Sequence, residues 1–234
     1  MKAVILAGGQ GARLRPLTYT IPKPLLPIGE KPILEVIIDR LRDDGFEELV
    51  IAVGYRAELI ETYFRDGSHL GVNIEYVREK DPLGTAGPLA LVREAIALDP
   101  GEPLLVMNGD LLTDLKMSGF LETHRALGAE LTVATREFVL QHPYGVIHVN
   151  DGRITDIVEK PTVTDTVSAG IYAMQPEVLD IVPSGERFDI PELMNRLLAE
   201  GRHVAAHTFT EAWLAIDGHE QLEDAHRILA ERDA

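Results

Sequence analysis

Apolar positions in the first half of the chain fall into two spacings that alternate. Residues 3–6, 48–53 and 104–107 are short, nearly continuous apolar runs, the pattern of strands buried on both faces, and 73–77 reads as a further strand. Between them, residues 33–41, 57–64 and 88–97 carry apolar side chains at helical spacing. Asp43-Asp44-Gly45 stops the first of these, and Pro88 sits in the first turn of the third. Strand and helix in alternation predict an α/β fold, a doubly wound, mostly parallel (Rossmann-like) mixed sheet flanked by helices. Such sheets bind ligands beyond the carboxyl ends of their strands.

From Glu130 the pattern changes. Residues 131–137, 145–149 and 154–159 read as strands in quick succession, and Asn150-Asp151-Gly152-Arg153 is a hairpin signal between the last two. Residues 190–200 and 219–231 read as helices around a strand at 204–210, with Asp189 placed as a helix cap. No internal repeat, low-complexity tract or linker interrupts the 234 residues, of which 45% are hydrophobic and 26% charged, so one large domain is expected.

Composition narrows the function classes. No apolar run reaches the length of a bilayer span, so no membrane association is expected, and the chain opens on a strand, which makes the cytoplasm the expected location. The absence of cysteine excludes disulfides, thiolate metal sites and cysteine nucleophiles. A formal net charge of -16 argues against nucleic acid as a partner. The sequence leaves the oligomeric state open, a homo-oligomer included.

Local charge runs against that background. The first acidic residue is Glu30, and Lys2, Arg13, Arg15 and Lys23 precede it. Arg13 and Arg15 lie in the glycine-rich stretch Leu6-Ala7-Gly8-Gly9-Gln10-Gly11-Ala12-Arg13-Leu14-Arg15, and Pro22-Lys23-Pro24 follows. A loop of so little side-chain bulk brings backbone N–H groups close to phosphates, and the flanking prolines restrict the backbone that aims Lys23. Leu14 stands where a dinucleotide fingerprint has its third glycine, and no Gly-Lys-Ser/Thr follows as in a P-loop. A glycine turn after a first strand is the plain alternative.

Residues 6–27 resemble the signature of the sugar-1-phosphate nucleotidylyltransferases, and later motifs extend the likeness over nearly the whole chain. That family joins a nucleoside triphosphate to a sugar 1-phosphate and releases pyrophosphate. The resemblance implies a nucleotide-binding half at 1–110 and a sugar-phosphate-binding half at 111–234, without the β-helix that some relatives append. It implies that Arg13 binds the β and γ phosphates and Lys23 the α-phosphate. Met107-Asn108-Gly109-Asp110, otherwise an ordinary turn after a strand, supplies a metal ligand in Asp110, with Mg²⁺ as the cofactor. Near the end of the chain, the segment 211–220 is similar to the family's Trp-Leu-Asp-Ile-Gly, but the usual aspartate falls on Ala215. Asp217 is therefore taken as the second metal ligand, with a helix cap as the alternative.

The glycine-rich segment 81–89 resembles the family's base-recognition loop, which sets Pro82, Gly84 and Thr85 beside Leu6, Ala7, Gly8, Gly9, Gly11 and Arg13 in the nucleotide site. Glu79 stands where relatives selecting uracil or thymine often carry glutamine. Guanine presents two adjacent donors and an ionised carboxylate only accepts, so GTP is the expected nucleotide. The form of this loop is similar to mannose-1-phosphate and related hexose or heptose guanylyltransferases. Asn108, Gly109, Tyr144, Gly145, Glu159, Lys160, Ser168, Ala169 and Gly170 form the implied sugar-phosphate set. Ser168 replaces a usual asparagine, which leaves the sugar open. The alternatives are a dTTP- or UTP-using glucose-1-phosphate enzyme and a noncatalytic nucleotide-sugar sensor. His203 and His207 share a strand face without a third ligand and are read as surface residues.

Overall fold

The computed structural model describes residues 1–232. In chain order its elements are β1 (Lys2–Ala7), β2 (Pro27–Ile28), β3 (Lys31–Pro32), α1 (Ile33–Asp43), β4 (Glu48–Val53), α2 (Ala57–Phe64), β5 (Asn73–Arg78), α3 (Pro88–Ala95) and β6 (Leu104–Asn108). They continue with β7 (Leu111–Thr113), α4 (Met117–Leu127), β8 (Leu131–Gln141), β9 (Val146–Asn150), β10 (Arg153–Val158), β11 (Thr162–Met174), α5 (Ile190–Ala199), β12 (Val204–Thr208), β13 (Trp213–Ala215) and α6 (His219–Arg232). Seven strands form one sheet in the order β12-β8-β11-β6-β1-β4-β5, parallel throughout except for β11, which runs against both of its neighbours.

Because β1, β4 and β6 are apolar on both faces, each face of the sheet carries a core. Ile5, Ile51, Met107 and Ile171 pack on one side with side chains of α1, α2 and α4. Val4, Val50, Val106 and Tyr172 pack on the other, against Leu89 of α3 and Leu193 of α5. Both cores draw on the first and second halves of the chain, so the halves share one sheet. Among the described residues no helix is long and apolar enough to cross a membrane.

Several boundaries differ from the sequence reading. The strand at 131–137 runs on to Gln141 because its outer part pairs with β11, a 13-residue strand that the apolar pattern did not reveal. This outer pairing leaves the sheet as an exposed two-stranded arm. Helix α4 was also missed. The helix expected at 88–97 stops at Ala95, because Ile96 is already extended, and the strand expected at 204–210 stops at Thr208. The hairpin signal is realised between β9 and β10, where Asp151 and Gly152 both take positive φ, as a tight primed turn requires.

Candidate active site

Strands β1 and β6 end side by side, with Leu6 paired to Asn108, and the chain then turns into Gly8-Gly9 on one and Gly109-Asp110 on the other. β4 flanks β1 on one side and β6 on the other, so successive connections leave in opposite directions and open a crevice at this point. A cavity of about 500 Å³ occupies it. All the residues expected to hold the nucleotide line this cavity: Leu6, Ala7, Gly8, Gly9, Gly11, Arg13, Glu79, Pro82, Gly84 and Thr85.

The loop after β1 folds as three single turns, Ala12–Leu14, Leu17–Tyr19 and Lys23–Leu25. Leu14 is fully buried and anchors the loop, which accounts for an apolar residue in place of a third glycine. Lys23 lies mostly buried between two carboxylates, its Nζ 2.5 Å from Asp110 Oδ2 and 3.5 Å from Asp217 Oδ1. Arg13 Nη1 is 3.2 Å from Asp217 Oδ2. Asp217 reaches this place because β13 pairs with β7 and the Ile216 N–H donates to the Asp110 carbonyl at 2.9 Å. Ala215 is opposite Leu111 inside that pairing. Position 217, not 215, therefore presents the second carboxylate.

One ammonium within ion-pair distance of both Asp110 and Asp217 means that the two carboxylates converge. Their oxygens suit a hard divalent cation, and no group of three or more His, Cys, Asp or Glu among the described residues could hold one alone. Such a donor set fits magnesium shared with phosphate oxygens and water.

Glu79 follows β5 and turns back over the loop. Its Oε2 accepts the Leu83 N–H at 2.9 Å, and its carboxylate lies so close above Gly8 that any side chain there would overlap it. Burial pushes the Glu79 pKa up, while the Leu83 N–H opposes that shift. Two residues missed by the sequence reading complete the wall, Arg187 and Asp189. The only local signal was Asp189-Ile190-Pro191-Glu192, read as a helix start, and a capping box with Glu192 is indeed present.

The sugar-phosphate candidates divide. Asn108 and Gly109 line the cavity, and Gly170 lies against the Asn108 side chain. Ala169 is buried, its carbonyl accepting the Trp213 indole N–H at 2.9 Å, and the Ser168 hydroxyl is 3.1 Å from the Tyr172 hydroxyl. Gly145 meets the Glu159 carboxylate, but Tyr144, Gly145, Glu159 and Lys160 are exposed where the arm meets the β9–β10 hairpin and do not line the cavity. His203 is exposed, and the half-buried His207 has its ring 5.6 Å from that of Phe120.

The fold and crevice define an α/β protein whose glycine-rich loop sets Arg13 and Lys23 against two acids. The chain belongs to the nucleotidyl transferase family, whose model matches residues 2–232. It is 38% identical over 235 aligned residues to a UTP–glucose-1-phosphate uridylyltransferase of Synechocystis, covering 92% of this chain and 60% of that protein. It is 42% identical to the catalytic subunit beta of a Danio rerio mannose-1-phosphate guanylyltransferase, over 76% of this chain and 51% of that one. The chain thus spans roughly half to three fifths of the length of these curated relatives. Among solved structures, HddC from Yersinia pseudotuberculosis complexed with GMP-PN shares the fold, with a TM-score of 0.76 at 24% identity over 97% of this chain and 99% of that one.

Proposed function

We propose that the crevice carries out sugar-1-phosphate nucleotidyl transfer, with GTP and a mannose-type hexose or heptose 1-phosphate as substrates and pyrophosphate as the second product. The observation that carries this reading is the convergence of Arg13 and Lys23 with Asp110 and Asp217 at the carboxyl ends of β1 and β6. A non-bridging oxygen of the sugar phosphate forms a bond to the α-phosphorus of the triphosphate. The bond from that phosphorus to the β-phosphate oxygen breaks, and pyrophosphate leaves with the electron pair. The attacking oxygen is already anionic, so no general base is needed, and rate comes from alignment and charge neutralisation.

In this reading Lys23 turns from the carboxylates to the α-phosphate and Arg13 to the β and γ phosphates. Asp110 and Asp217 would hold Mg²⁺, which when bound would screen the charge on the triphosphate. Glu79 offers acceptor oxygens to the N1–H and amino group of guanine, and the guanylyltransferase relatives support that choice. A second reading, UTP or dTTP with glucose 1-phosphate, is favoured by the Synechocystis relative. Chromatography of the products formed from each nucleoside triphosphate with mannose, glucose and heptose 1-phosphates tests both. GDP-sugar as the main product supports the first, UDP- or dTDP-glucose the second, and binding without any product would make the chain a sensor instead.

A further inference from the structure

We propose that Asp189 is a positioning residue for nucleotide recognition, holding the loop 81–87 and, through it, the carboxylate of Glu79. The proposal rests on the nucleotidyl-transfer reading. Asp189 Oδ1 accepts the Thr85 N–H at 2.8 Å and faces the Thr85 hydroxyl at 3.2 Å, across 104 residues of sequence. That hydroxyl in turn accepts the Ile190 N–H at 2.9 Å. The Thr85 hydroxyl proton and one of its acceptor lone pairs are engaged inside the protein, so Thr85 holds the loop in place and has no hydroxyl proton left to offer a nucleobase.

Backbone bonds run alongside. Ala86 and Gly87 N–H both reach the Phe188 carbonyl at 2.9 Å, and the Phe188 N–H reaches the Leu83 carbonyl at 2.9 Å. Gly84 fits the same account. Its φ is +81°, and a Cβ on it would lie 2.6 Å from Asp189 Oδ1 and 2.7 Å from the Phe188 carbonyl oxygen. A side chain at 84 would lift the loop off Asp189, so the Gly84-Thr85 pair is explained by this docking. The neighbouring Leu83 supplies the N–H that fixes Glu79 Oε2 at 2.9 Å. A carboxylate from the second half of the chain thus sets the group that reads the base in the first.

Asp189 also belongs to a capping box, its own N–H bonded to Glu192 Oε2 at 2.8 Å, so a test must separate the cap from the clamp. Serine caps a helix as well as aspartate but is one atom too short to reach Thr85, whereas asparagine keeps an acceptor oxygen at the same reach. Steady-state kinetics on the whole chain should show Asp189→Ser raising KM for the triphosphate about tenfold or more, as expected for losing bonds to a charged acceptor. KM for the sugar phosphate, kcat and the melting temperature should move little, and Asp189→Asn should restore most of the nucleotide affinity. Thr85→Val combined with Asp189→Ser should be no worse than Asp189→Ser alone.

Unchanged nucleotide KM in Asp189→Ser, or a loss confined to kcat or to the sugar phosphate, would overturn the clamp. Titration with a fluorescent methylanthraniloyl-GTP gives the same comparison without turnover. If the wild-type chain makes no nucleotide sugar, the catalytic reading fails, and a binding difference between the serine and asparagine variants still supports the clamp. Equal binding by the two variants overturns it.

Discussion

Lys23 Nζ lies 2.5 Å from Asp110 Oδ2 and 3.5 Å from Asp217 Oδ1, so one ammonium ties the loop after β1 to the ends of β6 and β13. In the proposed reaction the same cation cannot neutralise the carboxylates and the α-phosphate at once, so binding of the triphosphate would be coupled to the release of two acids.

Lys23→Ala should lower kcat by about two to three orders of magnitude, the range for removing one positioned donor to developing charge. The fold should survive, since neither Lys23 nor Asp110 belongs to either apolar core. Removing the competing charge should also tighten Mn²⁺ binding measured by electron paramagnetic resonance without nucleotide, by about tenfold. Weaker Mn²⁺ binding in this variant would contradict the assignment of both acids.

Asp217 and Ala215 give an independent check. Asp217→Asn should cut Mn²⁺ affinity in the presence of nucleotide by at least about tenfold. Adding Ala215→Asp to that variant should not restore it, because position 215 pairs with Leu111 inside the β13–β7 ladder. Recovery in the double variant would relocate the site.

Glu79 should make base choice depend on pH. Burial raises its pKa, so its acceptor-only form is lost at a higher pH than for an ordinary glutamate, and KM for GTP should rise as pH falls through that raised value. Glu79→Gln should remove this dependence and shift preference toward UTP or dTTP, measured as the ratio of kcat/KM. For stability the sign is opposite. The cost of the buried charge is absent below the unfolded pKa and complete above the folded one, so the glutamine variant should gain on wild type as pH rises through that window.

His124 on α4 is fully buried, its Nδ1 2.7 Å from the Thr132 hydroxyl and its Nε2 3.2 Å from the Gln175 amide nitrogen. Burial depresses its pKa below the ordinary histidine value of about 6.5, with Arg125 adding to the shift. The folded protein therefore binds fewer protons than the unfolded chain, and the stability contributed by neutral His124 is lost as pH falls from about 6.5 through the depressed value. His124→Gln should flatten the dependence of urea midpoint on pH in this range. An unchanged slope would remove His124 as the cause.

How much of this was legible depended on how local each signal was. β4 and α2 match their expected boundaries residue for residue, because each is a bounded run of one periodicity. β11 was hidden because its outer residues, Thr162 to Thr166, are exposed and mostly polar, and its buried part begins only at Ala169. In α4, Ser118, Gly119 and a buried His124 break the apolar stripe. The loop after β1 was legible from its glycines and local charge, whereas Asp110 and Asp217 were singled out by the resemblance of their segments to the family's motifs, and the structure brings all three together. Asp189 was not legible as a site residue, since its partner Thr85 lies 104 residues earlier, nor was Arg187, whose side chain pairs only with Asp189 beside it among the described residues.

The account's central chemical claim is attack by the sugar phosphate on the α-phosphorus, and isotopic labelling tests it most directly. With ¹⁸O in the non-bridging oxygens of the sugar 1-phosphate, mass spectrometry should find all the label in the nucleotide sugar, one atom of it bridging the two phosphorus atoms. The released pyrophosphate should carry none. Label in the pyrophosphate, or no turnover with any nucleoside triphosphate, would contradict it.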